Sequence, residues 1–243
     1  MAGSGGGHGE AFEVVREFEV GRPPEVVWAA LTTGTGGWLC PVEYEPREGG
    51  AAPCGGVVAR WDPPRRLTVE GPGGLAPHRG ARLLDHVIEP CDGGRRSWVR
   101  YLRAGPLADE AEADEAEAAA VTEYTDFCLH TLRQYLTYFA GRPAVCTVLG
   151  PVGAGAAFTR LTRALGLPAD AREGARVRLV APGAELDAVI GFRTRRYVGL
   201  RTDDALYRLL GAPVGLTVHD FAPHADAKRT ELAWRDWLTR LYG

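Results

Sequence analysis

The chain has 243 residues, of which 45% are hydrophobic and 24% are charged, and its formal net charge is −3 at pH 7. This balance is typical of a folded, soluble protein with one large or two small domains, and it excludes a strongly basic surface for nucleic acid. No apolar run approaches the roughly 20 residues that a membrane-spanning helix needs.

Small local features argue against targeting segments and common cofactor sites. Residues 1–11 are rich in glycine and lack the basic start and apolar stretch of a signal peptide, so we expect a disordered leader. The five cysteines are widely spaced and form no C-x-x-C pair, which is typical of reduced thiols in a cytoplasmic protein. The single lysine, Lys228, follows Ala227, which excludes a Gly-Lys-Ser/Thr phosphate-binding loop.

Residues 12–143 predict a strand, a short helix, several antiparallel strands and a long helix. Apolar and acidic residues alternate over residues 12–20, the pattern of a half-buried strand. Pro23 or Pro24 then begins a short helix, because a proline in the first turn costs no hydrogen bond. The apolar positions of residues 108–139 recur every three or four residues, which predicts one long amphipathic helix.

The strands between these helices are marked by turn residues. Residues 55–61 and 65–71 are strand-like and are separated by Asp-Pro-Pro, which interrupts sheet pairing. Residues 81–90 and 95–103 flank Cys-Asp-Gly-Gly, a sequence typical of a hairpin turn.

Residues 144–243 repeat this order in shortened form. A strand at 145–149 precedes a helix at 155–166, and a second amphipathic helix covers 225–243. The strand-like segments between the two helices are 175–181, 185–192, 195–201 and 215–221. The same order of elements in both halves predicts a repeat.

Several motifs of the first half resemble one protein family. They are FEVGRPPEVVWAAL at Phe18–Leu31, GGVVARWDPPRRL at Gly55–Leu67, HVIEPCDGG at His86–Gly94, and LRQYLTYFAGRP at Leu132–Pro143. On these residues the first half resembles the START-like SRPBCC superfamily, and within it the branch of homologues of the activator of the heat-shock protein 90 ATPase. The second half looks like a truncated relative.

The resemblance implies an α+β, helix-grip fold for residues 12–143. In that fold a curved antiparallel sheet closes over one long C-terminal helix and leaves a cavity between them. Residues 144–243 are expected to form a second, abbreviated START-like domain.

Such a cavity suits non-catalytic binding of a hydrophobic small molecule, such as a lipid or a polycyclic aromatic metabolite. The resemblance implies two alternatives: a chaperone co-factor of the ATPase-activator type, and an enzyme like the polyketide cyclases and dehydratases. We expect no cofactor, no metal, no catalytic residues, no nucleic-acid partner and no membrane span.

Aromatic and polar residues of the predicted strands and long helix are the candidates for lining the cavity. They offer apolar surface for a ligand together with hydroxyl, thiol and imidazole groups that orient it; the alternative is that they fill an ordinary core. The sequence does not say which face of SWVRYL points inward. Trp98 and Tyr101 are therefore not both expected to line the cavity. The candidates are Trp61, His86, Trp98, Tyr101, Tyr124, Cys128 and Tyr135.

Other polar groups predict weaker sites. Asp85 and His86 are adjacent in a strand, so their side chains point to opposite faces and make a poor catalytic dyad. The histidines of HDFAPHAD, at residues 219–226, are expected to lie in a surface loop rather than to bind metal. Arg193, Arg195 and Arg201 fall on one side of a strand, as a solvated face or as a site for an anion or acidic partner.

Overall fold

The computed structural model describes residues 11–71, 82–106, 111–151, 157–211 and 213–243. The chain is α+β, with two six-stranded antiparallel sheets. The predicted leader lies outside the described residues, apart from Ala11, which begins the first strand.

The elements of the first sheet follow the predicted order, with one further short strand, β2. They are β1 (Ala11–Val20), α1 (Pro24–Leu31), β2 (Ala51–Ala52), β3 (Gly56–Asp62), β4 (Arg66–Glu70), β5 (Leu83–Cys91), β6 (Arg96–Pro106) and α2 (Ala111–Tyr138). Long helix α2 matches the predicted helix to within a few residues at each end.

The second half has the same sequence of elements. They are β7 (Val145–Leu149), α3 (Ala157–Ala164), β8 (Arg176–Ala181), β9 (Ala184–Arg193), β10 (Tyr197–Arg201), β11 (Ala205–Gly211), β12 (Val214–Asp220) and α4 (Ala227–Tyr242). Strand β11 is absent from the predicted elements. Its first five residues are all buried, so the polar–apolar alternation that marks a half-buried strand is missing.

The two sheets share one topology. The first has the strand order β1-β6-β5-β4-β3-β2, and the second has the order β7-β12-β11-β10-β9-β8. In each sheet the first strand pairs with the last, a helix follows the first strand, and a helix follows the last strand. The predicted fold class, a helix-grip unit followed by a second unit of the same kind, is confirmed.

The chain forms two compact units that do not follow its linear order. The first contains the described residues up to Trp28 together with Glu43–Asp126, and the second contains Ala29–Val42 and Phe127–Gly243. The boundary between the units therefore falls inside α2, and the domain boundary at residues 143 and 144 stays a prediction.

The core of the second unit has helical residues on both faces of its sheet. On one face, Leu161 of α3 and Trp234 and Leu238 of α4 join a single apolar cluster with the strands. On the other face, Phe127 of α2 is 0% exposed and stacks on Tyr197 of β10, with ring centroids 5.1 Å apart. The last turns of α2 are therefore part of the second core, although the sequence pattern assigned them to the first sheet.

Candidate ligand-binding face of the first sheet

One face of the first sheet is covered by helix α2. Phe12 and Val14 of β1 and Val121 of α2 form one buried apolar cluster, in which Val121 is 1% exposed. Side chains alternate between the two faces of a strand, and residues paired across strands share a face. Phe12, Val14 and the residues aligned with them therefore define the face toward α2, called the inner face below.

A row of side chains crosses the inner face from β3 to β6. Trp61 pairs with Leu67, Leu67 pairs with His86, and His86 pairs with Tyr101. Tyr101 in turn pairs with Arg16 of β1, two residues after Val14, which places the whole row on the inner face. The structure thus brings three of the predicted cavity residues, Trp61, His86 and Tyr101, into one line.

Aromatic and aliphatic groups surround the β3 end of this row. The Trp28 ring packs edge-on against Trp61, with centroids 5.0 Å apart, and the Tyr44 ring lies 6.2 Å from Trp61. These rings border a buried cluster formed by Ala52, Val58, Leu67 and Val69. This part of the inner face therefore presents mainly carbon to anything bound there.

His86 brings an unpartnered polar atom into these surroundings. The residue is 7% exposed, its ring lies 5.1 Å from that of Tyr101, and its Nδ1 atom is buried without a hydrogen-bond partner. Burial lowers the pKa of His86 to about 4 and outweighs the nearby charge of Asp85 and a hydrogen bond with the Leu67 backbone, which both raise it. The imidazole is therefore neutral at pH 7 and has an unused hydrogen-bonding position.

Arg103 is the second unpartnered polar group of the inner face. It pairs with Val14 of β1 and with Leu84 of β5, so its side chain lies on the same face as the row containing His86. Arg103 is 4% exposed, and its Nε and Nη2 atoms are buried without a hydrogen-bond partner. Its guanidinium carbon lies 5.9 Å from the centre of the Phe12 ring.

The remaining predicted residues lie elsewhere. Trp98 pairs with Glu19 and is three residues from Tyr101, which puts it on the opposite face of the sheet. Tyr124 is buried on α2 within the first unit. Cys128 and Tyr135 pack in the second unit: the Cys128 thiol accepts a hydrogen bond from Arg208 Nη2 at 3.2 Å, and Tyr135 stacks on Phe221.

Arg103 was missed by the sequence reasoning, although a signal for it exists. It follows Tyr101 by two residues in a strand, so any assignment of Tyr101 to the inner face places Arg103 there too. An arginine on the same strand face as buried apolar residues is unusual, because charged side chains are rarely buried without a partner.

Asp85 faces away from this site, as the alternation predicts. Its carboxylate accepts hydrogen bonds from Arg66 at 3.0 and 3.2 Å and from the Thr68 hydroxyl at 2.6 Å. Burial alone would raise the pKa of Asp85, but the bonds from Arg66 and Thr68 outweigh burial and lower it. Asp85 is therefore a structural anion on the outer face and not a partner of the His86 ring.

The expectation of surface histidines in HDFAPHAD is wrong for His219. Strand β12 extends through this residue, which is 0% exposed. Its Nδ1 donates to the Gly36 carbonyl at 2.8 Å, and burial lowers its pKa to about 3. Within the described ranges, no group of three or more His, Cys, Asp or Glu side chains could hold a metal ion.

An arginine-lined groove lies in the second unit. It has a volume of about 940 Å³. Its lining includes Arg163 of α3, Arg193 at the end of β9, and Arg195 and Arg196 of the turn that follows, with no carboxylate among the described lining residues. Arg201, predicted on the same side as Arg193 and Arg195, instead stacks on Tyr138 of α2 at 3.8 Å from the ring centroid.

None of the described helices has the length and apolar character needed to cross a membrane. All five cysteines are free thiols.

No protein-family model and no curated protein matches the chain. Solved structures with similar architecture include the di-domain ARO/CYC protein BexL from the BE-7585A biosynthetic pathway, with 13% identity, a TM-score of 0.42 and coverage of 94% of each chain. DynU16, from the dynemicin biosynthetic locus, has 15% identity, a TM-score of 0.39 and coverage of 95% of each chain. Protein MLL2253 from Mesorhizobium loti has 19% identity and a TM-score of 0.40, and the match covers 52% of this chain and 98% of that one.

Proposed function

We propose that the first unit binds a hydrophobic small molecule, such as a lipid or a polycyclic aromatic metabolite, against the inner face of its sheet. The observation that carries this proposal is the His86 Nδ1 atom, which is buried without a partner in a row of aromatic and aliphatic side chains. An orphaned buried polar atom costs about 1–3 kcal/mol, so a fold retains one most readily where a ligand satisfies it. The neighbouring Tyr101 and Trp61 rings offer the apolar contacts.

The neutral protonation state of the His86 imidazole favours binding over catalysis. A general base works best when its pKa lies near the working pH, and the pKa of His86 is lowered to about 4. Asp85, the adjacent carboxylate, is held on the outer face by Arg66 and cannot orient the imidazole. A cyclase-like reaction therefore has a weak base at this position, whereas a neutral imidazole is well suited to hold a ligand amide or hydroxyl.

Binding can be measured by titrating the protein with anthracene-2-carboxamide and following quenching of its tryptophan fluorescence. The probe combines a three-ring apolar body with an amide N–H that can donate to His86. We expect saturable binding, and His86→Leu should weaken it about tenfold, the cost of one buried hydrogen bond.

Val87→Ala is the matched control, because Val87 adjoins His86 in β5 and points to the other face. It should leave the affinity for the carboxamide unchanged. Absence of saturable binding to the wild-type protein, or an equal loss in both variants, would overturn the proposal.

A further inference from the structure

We propose that the natural ligand carries an acidic group and that Arg103 binds it. This inference rests on the proposed function, because it names the chemical class of the molecule bound on the inner face. Arginine keeps its positive charge at all relevant pH values, so it cannot adapt to burial by losing a proton. An isolated charge in an apolar interior is costly unless an opposite charge accompanies it.

Among the residues that the structure describes, none supplies such a charge to Arg103. Val14 and Leu84 are its cross-strand neighbours, and the Phe12 ring lies beneath its guanidinium group. Among the described residues, no carboxylate forms an ion pair with Arg103. The neighbours named here are apolar, and a ligand anion would be the partner of this charge.

Other arginines of the first unit have carboxylate partners although they are far more exposed. The side chains of Arg16 and Arg66 are 37% and 51% exposed, and they pair with Asp126 and Asp85 respectively. Arg96, at 49% exposure, pairs with Glu19 at 2.7 Å. Arg103 is more buried than these three arginines, yet it has no carboxylate partner among the described residues. Stability alone would favour the opposite, with a carboxylate beside the buried arginine.

The unused atoms of Arg103 indicate the geometry of the missing group. Nε and Nη2 form one edge of the guanidinium plane, and this edge donates two parallel hydrogen bonds to a carboxylate. Arg16 uses the same edge to hold Asp126, at 2.6 and 3.0 Å, and Arg66 uses it to hold Asp85. The vacant edge of Arg103 is therefore shaped for a planar, two-oxygen anion such as a carboxylate.

Arg103 also lies close to the row that contains His86. It follows Tyr101 by two residues on β6, which separates their Cα atoms by about 7 Å, and Tyr101 is paired with His86. A ligand that satisfies Arg103 and His86 together would carry an acid and a second polar group on an apolar frame.

The test compares anthracene-2-carboxylate with its neutral carboxamide. The wild-type protein should bind the carboxylate tenfold to a hundredfold more tightly than the amide, because the buried charged pair with Arg103 outweighs the neutral hydrogen bond that the amide donates to His86. Arg103→Met should remove this preference and leave amide binding intact. Arg103→Lys, which keeps the charge but not the planar edge, should retain part of it.

Two control variants locate the effect. Arg100→Met alters an arginine of the same strand that points to the other face, where it lies near Glu17, and it should keep the preference for the acid. Arg195→Met alters the arginine-lined groove of the second unit and should also keep it. Loss of the preference in Arg195→Met but not in Arg103→Met would place the acid in the groove and overturn the inference.

A second measurement needs no ligand. If Arg103 is an uncompensated charge, Arg103→Met should raise the Tm of the ligand-free protein by about 3 °C, because methionine fills similar space without a charge. A lower Tm would show that Arg103 supports the fold and would contradict the proposal. Equal binding of acid and amide would refute Arg103 recognition alone, whereas failure of both to bind would refute the proposed function as well.

Discussion

Replacing Phe127 with alanine is expected to lower the free energy of unfolding by about 3–5 kcal/mol, the range for deleting a fully buried phenylalanine. The Phe127 ring is 0% exposed and stacks on Tyr197, and the guanidinium of Arg208 lies 4.9 Å from its centroid. The cavity left behind would remove contacts from both neighbours. Urea denaturation followed by circular dichroism measures the change.

Tyr138→Ala is the matched control on the same helix. Tyr138 is 49% exposed and has one cation–π contact, with Arg201, so its loss should cost about 1 kcal/mol or less. Equal effects of the two substitutions would contradict the finding that the last turns of α2 belong to the core of the second unit.

Lowering the pH from 7 to 5 is expected to reduce the free energy of unfolding by about 5 kcal/mol. Burial lowers the pKa of His86 and His130 to about 4 and that of His219 to about 3, from an ordinary value of 6.5. Between these values the unfolded chain binds more protons than the folded one, so stability falls as the pH falls. Each histidine contributes about 1–2 kcal/mol over this interval.

The pH dependence can be assigned by substitution. His219→Gln should flatten the profile of stability between pH 7 and 5 by roughly one third, since one of the three imidazoles with a lowered pKa is removed. Phe221→Leu should lower stability without changing the slope, because it removes no titrating group. A wild-type profile that is flat over this interval would show that the folded protein does not lower the pKa of these three histidines.

The fold was predictable because local patterns and topology agree. Alternation over residues 12–20, the proline start of α1 and the long apolar stripe of α2 each indicate one element, and their repeated order indicates a second unit. Strand β11 was not predicted, since a strand buried on both faces lacks alternation. The sequence does not show that α2 contributes to two cores. Its apolar stripe is continuous, and such a stripe has the same pattern whether it covers one sheet or two.

The site was predictable only in part. Residue types singled out Trp61, His86 and Tyr101, which the strand register places in one row, but the sequence alone does not specify register. Cys128 and Tyr135 share the stripe of α2 with Tyr124 and yet pack in the second unit. Ligand binding at the row, and the chaperone and enzyme alternatives, stay predictions until binding or activity is measured.

Nuclear Overhauser effects between bound anthracene-2-carboxamide and the protein test the central proposal most directly. The protein would be labelled with ¹³C on its histidine and tyrosine side chains, and its ring protons assigned by substitution. We predict cross-peaks from the probe to the rings of His86 and Tyr101. Cross-peaks confined to residues of the second unit, such as Tyr207 or Tyr242, would contradict it.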